Sequence, residues 1–312
     1  PNARDSQMGR PPDRHCRLLS TGPPMENAIT LFDLTPGKLL AKRFEIVCNS
    51  RQGGLSAALE VKDHETDLRR ELQLFPYGMF ESDVELNDFV ATWRPWATFS
   101  SPAVLGFHGV IRLDGSNLCL VTDLPSGTSL RTMLRDGREF SEAEAVAIGI
   151  ELCNGLIAIH EAGLVHGDIK PATIFIDEGR DGEELTPTLV DGGVTSGLWT
   201  AKHLGENTAL IGTPFYAPIE QFGGEAPDVL SDIYNLSTVL FELAAGVLPW
   251  EGTTFLEVLQ AKLEPKAPRI AERKGARAVS TALDDVLAMG LSAKREHRHA
   301  SAKDLCDALS SI

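Results

Sequence analysis

The sequence predicts an α+β protein, with strand-forming segments gathered before about residue 122 and helix-forming segments after it. Three observations predict this. From Arg43 to Phe75, and again from Ala103 to Thr122, short runs of apolar residues are broken by Gly- and Asp-containing turns, the pattern of antiparallel strands. From Ser141 onward the apolar residues recur at helical spacing, behind the capping signal Ser141-x-x-Glu144. The chain has 312 residues, 43% hydrophobic and 23% charged, enough to bury a core as one large domain or two lobes.

Taken in order, residues 1–36 are rich in Pro, Arg, Ser and Gly without periodicity and read as a disordered leader, its end pinned by Phe32, Leu34 and Leu39. Phe44-Glu45-Ile46-Val47 is strand-like, Arg51 to Ser56 turns, Ala57 to Lys62 returns, and a third strand ends at Leu72, Leu74 and Phe75. Glu81 to Phe99 has helical spacing at Val84, Leu86, Phe89, Val90 and Trp93, and Pro95 ends or kinks it. Two strands then flank a turn at Asp114-Gly115. The helix opened by Ser141 runs to about Glu161 and its Ala, Ile and Leu stripe is read as core. Further helices end near Leu263, Met289 and Leu309.

The bulk numbers exclude some functions. A net charge of −15 repels phosphates and argues against binding nucleic acid or anionic membranes. The five cysteines are scattered and lack paired metal spacing, which predicts a reduced, cytoplasmic chain. No apolar run approaches the ~20 residues of a membrane helix.

The chemistry-bearing stretch runs from His160 to Gly193. His166-Gly167-Asp168-Ile169-Lys170-Pro171 is followed by Leu189-Val190-Asp191-Gly192-Gly193. Gly212-Thr213-Pro214-Phe215-Tyr216, Pro218-Ile219-Glu220, Ser231-Asp232-Ile233-Tyr234, Leu248-Pro249-Trp250 and the Lys294–Arg298 turn come next. In this order and spacing they resemble the motifs of eukaryotic-like (Hanks-type) Ser/Thr protein kinases, patterned H-R-D-x-K-P-x-N, D-F-G and A-P-E. Asp33-Leu34-Thr35-Pro36-Gly37 is similar to the opening of bacterial members. The resemblance covers about residue 40 to 312 and is stronger in the second half.

What it implies is a protein-kinase-like two-lobe fold. A small antiparallel-sheet N-lobe with helix C would occupy residues 37–122, and a larger helical C-lobe residues 123–312. Asp168 would be the catalytic base and Lys170 a γ-phosphate contact. Asp191 would hold Mg²⁺, with Thr173 at the second metal position. Gly53 and Gly54 would lie over the ATP phosphates, and Thr122 would begin the hinge that meets adenine. His166 would be structural, stacked beneath the D-F-G aromatic. Asp232 would accept hydrogen bonds from the backbone near His166 and Gly167, and Glu220 would form a buried ion pair with Arg298.

The departures from the pattern bear on activity. Gly167 replaces the Arg, Thr173 the Asn, and Gly192 the Phe, leaving a gap beneath which an aromatic would contribute on the order of 3–5 kcal/mol of packing unless another residue fills it. The glycine-loop positions fall on Arg51, Gly53 and Ser56. The V-A-I-K segment falls on Arg70-Glu71-Leu72-Gln73, so Gln73 replaces the phosphate-binding Lys and Glu71 the small residue against adenine. A rival register makes Lys62 that lysine, but it follows Gly54 too closely to leave room for the strands between. The helix-C glutamate falls on Thr92, with Glu85 or Asp88 as substitutes if the helix is shifted and otherwise solvent-facing acids.

These losses compound, since each charge-stabilising contact is worth ~10²–10³ in rate. The expectation is a pseudokinase: a regulatory or scaffolding module with weak or no ATP binding. Its partner would be another protein, an active kinase or a phosphorylation substrate. A polar loop from Thr195 to Thr213 is its expected regulated surface, with Lys202 or a partner's cation to meet an added phosphate. The alternative is an active Ser/Thr kinase using Asp168, Asp191, Mg²⁺ and a lysine recruited from elsewhere. Transfer of another group from ATP, such as AMP, is a third reading that no residue singles out.

Overall fold

The computed structural model describes residues 34–52, 56–76, 78–113, 117–179, 185–202, 215–252, 254–264 and 266–312. Phe32, Gly53, Gly54, the Asp114-Gly115 turn and Gly212-Thr213-Pro214 lie outside them.

The first lobe is an antiparallel sheet of six strands in the order β1-β2-β3-β4-β6-β5. They are β1 (Leu39–Leu40), β2 (Phe44–Gln52), β3 (Ala57–Asp63), β4 (Leu68–Phe75), β5 (Phe107–Arg112) and β6 (Leu118–Asp123). Strand alternation divides the side chains of β4 between two faces. Leu72 and Leu74 enter the upper core with Leu34, Leu40, Phe44, Ile46, Leu59 and Val61. Glu71, Gln73 and Phe75 share the opposite face, and Phe75 there joins the core that continues into the second lobe. The predicted leader therefore ends sooner than residue 36, because Leu34 is already buried; Leu39 is 49% exposed and Leu40 takes the anchoring place.

Helix α1 (Asp83–Thr92) starts where the Ser82 side chain accepts from the Glu85 N–H. It is shorter than the predicted Glu81–Phe99 and stops before Pro95, consistent with the bias of residues preceding proline away from helix. Glu85 corrects the expectation of a solvent-facing acid: it is half-buried and accepts from Lys202 Nζ at 3.1 Å.

The second lobe is mainly helical: α2 (Leu130–Arg135), α3 (Glu142–Glu161), α4 (Val194–Ala201), α5 (Ile219–Phe222), α6 (Val229–Ala245), α7 (Phe255–Lys262), α8 (Thr281–Gly290) and α9 (Ala302–Leu309). A small sheet, β7 (Thr128–Ser129), β8 (Ile174–Asp177) and β9 (Thr186–Leu189), lies with them. The Ser141/Glu144 capping box that opens α3 is present. By length and composition α3 is apolar enough to cross a membrane, but Ile148, Leu152, Leu156 and Ile159 are buried in the core, and the helix packs on α6 and α9. Helix α6 is buried along almost its whole length and ends at Gly246, whose φ of 75° makes the left-handed cap.

The structure corrects the polar loop after Asp191. Thr195, Ser196 and Thr200 belong to α4, which packs its buried face, including Val194, Leu198 and Trp199, beside α1. Residues 203–214 lie outside the described chain.

Candidate active site

The loop between α3 and β8 is built around buried polar groups. Asp232, fully buried on α6, accepts the His166 N–H at 2.9 Å and the Gly167 N–H at 2.8 Å, with His160 Nε2 at 2.9 Å from the same carboxylate. His166 is fully buried, and burial pushes its imidazole pKa down, so the ring is neutral. Its Nε2 donates to Val190 O at 3.1 Å, while Nδ1 accepts the Asp168 N–H at 3.3 Å. The loop holds Asp168 beside Lys170, whose Nζ donates to Oδ2 at 2.5 Å. Thr173 turns its hydroxyl inward, onto Asp168 O at 2.8 Å and between the N–H and C=O of Lys170, each at 3.1 Å.

Asp191 follows β9 with a φ of 62°, a left-handed conformation that aspartate tolerates better than most residues. The aromatic gap expected at Gly192 is filled. Trp96, from the turn after α1, lies over Gly192 and Gly193 next to His166. A Cβ at Gly192 would meet Trp96 Cη2 at 2.8 Å, and one at Gly193 would meet Trp96 Nε1 at 2.5 Å. Glycine is thus the residue that lets the indole approach, and Trp96 continues an aromatic row through Trp93 and Phe107.

The roof of the cleft is β4. Its register with β6 places Glu71 opposite Thr122, where the connector between the lobes begins. Lys62 is on β3, ion-paired with Asp67 at 2.8 Å and 48% exposed, so the rival register is excluded. Thr92 ends α1 and its hydroxyl donates back to Phe89 O at 2.6 Å. Gln73 and Glu71 are both buried in the roof.

The group that sequence reasoning missed is Arg51. Placed there in a turn, it lies in β2, which runs on to Gln52. Pairing with β3 skips from Ile46 to Cys48 and again from Asn49 to Arg51, making Val47 and Ser50 bulge residues. In a regular strand Ser50 and Arg51 would point to opposite faces. With the bulge both reach Glu71: Ser50 Oγ donates to Oε2 at 2.8 Å, and Arg51 Nη2 donates to Oε1 at 2.7 Å. The other edge of the guanidinium meets Asp191, Nη1 to Oδ2 and Nη2 to Oδ1, each 2.5 Å. Its centre stands 5.9 Å from the Phe175 ring on β8. Burial works against this charge, but Asp191 and Glu71 outweigh it and hold Arg51 protonated. The ion pair absent from Gln73 and Thr92 is therefore present as Arg51 with Glu71, built from different strands.

The connector from Thr122 to Gly127 offers few donors to a base. The Asp123 N–H is bonded to Gly106 O at 2.8 Å, and Pro125 has no N–H. The residues in place do not fit a divalent metal as arranged. Both Asp191 oxygens are held by Arg51, the Thr173 hydroxyl is turned into its own loop, and Asp168 is paired with Lys170. Among the described residues no group of three or more His, Cys, Asp or Glu side chains is placed to hold a metal ion.

Glu220 and Arg298 lie below the site, where Nη1–Oε1 is 2.6 Å and Nη2–Oε2 is 2.9 Å. Lys262 Nζ, also buried, donates to Phe215 O and Ala217 O at 3.0 and 2.6 Å.

A curled antiparallel sheet over a helical lobe, with Asp168 and Asp191 brought to one cleft, defines a protein-kinase fold. Residues 82–309 match the protein kinase domain family, and the chain belongs to it. It is similar to the Ser/Thr protein kinase PkaB of Streptomyces coelicolor, 38% identical over 175 residues, which cover 55% of this chain and 42% of that protein. It is also similar to the Ser/Thr protein kinase PknE of Mycobacterium tuberculosis, 28% identical over 255 residues, covering 81% of this chain and 43% of that protein. The chain thus spans about two-fifths of the length of these bacterial relatives. The Mycobacterium tuberculosis PknI kinase domain superposes with a TM-score of 0.68 at 20% identity, over 89% of this chain and 99% of that one, a likeness of fold.

Proposed function

We propose that this chain is a pseudokinase, a kinase-fold regulatory or scaffolding module whose binding of ATP is weak or absent. The observation that carries the reading is the Glu71–Arg51–Asp191 bridge. Bound polyphosphate needs cations along the roof and a metal on the aspartate. Here the roof presents Glu71 and Gln73, and the cation that reaches it is committed to two carboxylates. A connector with Pro125 in it adds to the loss. The output of such a protein comes from its shape, through a protein partner such as an active kinase or a phosphorylation substrate, in the cytoplasm.

A second reading, an active Ser/Thr kinase, has one observation in its favour. Arg51 brings a cation beside Asp191, and Asp168 and Lys170 keep their places in the loop. In that reading ATP with Mg²⁺ is the cofactor, Arg51 turns from Asp191 to phosphate, and Asp168 receives the hydroxyl proton. Calorimetry with ATP, with and without Mg²⁺, and incubation with labelled ATP and protein substrates test the two. The pseudokinase reading expects little binding and no transfer. Transfer that disappears in Asp168→Ala would establish the kinase.

A further inference from the structure

The misfit between this cleft and a divalent metal has a definite structural cause, and the cause has a role of its own. A guanidinium is a planar fork with donors on two edges. On one edge Nε and Nη2 meet Glu71, and on the other Nη1 and Nη2 meet Asp191. Every oxygen of the two carboxylates accepts from Arg51, and Ser50 adds a further donor to Glu71. The three side chains are 17%, 1% and 17% exposed for Arg51, Glu71 and Asp191 respectively, so water supplies little of the neutralisation. Arg51 and Asp191 are 140 positions apart in sequence, and belong to the sheet and to the helical lobe. The register breaks at Val47 and Ser50 set how the arginine leaves the strand.

We infer that Arg51 is a built-in counter-ion: it occupies the Asp191 and Glu71 carboxylates in place of a divalent cation, keeps such cations out of the cleft, and straps the β2–β3 hairpin to the second lobe without any ligand. The inference rests on the pseudokinase reading and names the group that occupies both carboxylates of the cleft. A tethered side chain competes at an effective concentration of millimolar order or above, so added metal must exceed it in affinity or in concentration. With Arg51 removed, two carboxylates remain in a site of low water content, an arrangement of hard oxygen ligands suited to Mg²⁺ or Mn²⁺.

The test titrates Mn²⁺ into the full chain without nucleotide, by calorimetry and water-proton relaxation, for the wild type, Arg51→Ala, Arg51→Lys and Arg51→Ala with Asp191→Asn. The expected result is a gain of function. Arg51→Ala binds Mn²⁺ roughly tenfold or more tightly than the wild type, and the added Asp191→Asn abolishes the gain. Arg51→Lys, with one compact ammonium in place of the fork, falls between them. Hydrogen exchange in β2 rises in Arg51→Ala and falls again when Mn²⁺ is added. A folded Arg51→Ala that binds Mn²⁺ no better than the wild type overturns the inference. If that variant does not fold, Arg51→Lys decides: Mn²⁺ binding equal to wild type overturns it, and tighter binding supports it. Because nucleotide is left out, the outcome is separate from the pseudokinase reading, which stands or falls on ATP binding and transfer.

Discussion

Replacing Arg298 with alanine should be among the most damaging single changes in the second lobe. Its side chain is 0% exposed and that of Glu220 is 4% exposed. The two N–H···O bonds between them, at 2.6 and 2.9 Å, are joined by bonds from Arg298 to Ser292 O at 2.9 Å and Leu230 O at 3.2 Å. The guanidinium also lies 4.8 Å from the centre of the Tyr234 ring. Arg298→Ala removes all of this and leaves the Glu220 carboxylate buried, with Arg295 Nη1 4.0 Å away as its remaining ion-pair partner. A buried charge that loses its partner costs about 3–5 kcal/mol. At ~2–4 °C per kcal/mol for a domain near this size, the melting temperature should fall by roughly 6–20 °C. Thermal unfolding followed by circular dichroism measures it. Glu220→Gln with Arg298→Met, which removes both charges, should lose less, because no uncompensated charge remains. An unchanged melting curve for Arg298→Ala would refute the reasoning.

Trp96→Ala should destabilise by ~3–5 kcal/mol in a denaturant titration, because the indole packed on Gly192 and Gly193 leaves a cavity. Gly192→Phe, which restores the family residue, should also destabilise, since its Cβ alone would stand 2.8 Å from Trp96 Cη2. Adding Trp96→Ala to it should recover part of the loss, and a purely additive pair would refute the exchange of one aromatic for another. For Asp63, burial opposes the charge, but hydrogen bonds from Arg43, Thr66 and the Glu65 N–H outweigh it and hold the carboxyl down at about 2. Its contribution is fully present above the unfolded carboxyl range near ~3.9 and is lost as pH falls through about 2. Acid titration of the melting temperature should therefore show a shallower fall between those values in Arg43→Ala than in the wild type.

The second lobe was legible in detail because its signals are local or run in fixed order. Ser141 and Glu144 meet within one turn of helix, so a capping box can be read from four letters. His166, Asp232, Glu220 and Arg298 stand at motif positions; in the structure Asp232 meets the His166 N–H and Glu220 meets Arg298. The end of helix α1 followed from Pro95 in kind, though the helix stops earlier than its apolar spacing suggested. The family's register puts Gln73 and Glu71 on one strand, and both lie on β4, which pairs with β6.

What was not legible depends on side chains far apart in sequence or on breaks in periodicity. The vacancy at Gly192 could be read from one position, but the residue that fills it, Trp96, comes from a turn nearly a hundred residues earlier, and nothing in its local pattern aims it there. Thr195, Ser196 and Thr200 give the start of α4 the look of a polar loop; burial of Val194, Leu198 and Trp199 against the neighbouring core overrides their weak helix propensity.

By itself, then, the sequence determined the family, the order of the lobes, and which residues stand at the motif positions, because those are matters of residue identity at fixed spacing. Only the tertiary structure decided what those residues meet. Two register breaks in β2, at Val47 and Ser50, redistribute its side chains between the faces and bring Ser50 and Arg51 together on Glu71, and a periodicity of two contains no record of where it is broken. The partners of that guanidinium, Glu71 and Asp191, become neighbours only when the sheet closes over the helical lobe, and that closure brings a cation to carboxylates that the linear chain holds apart.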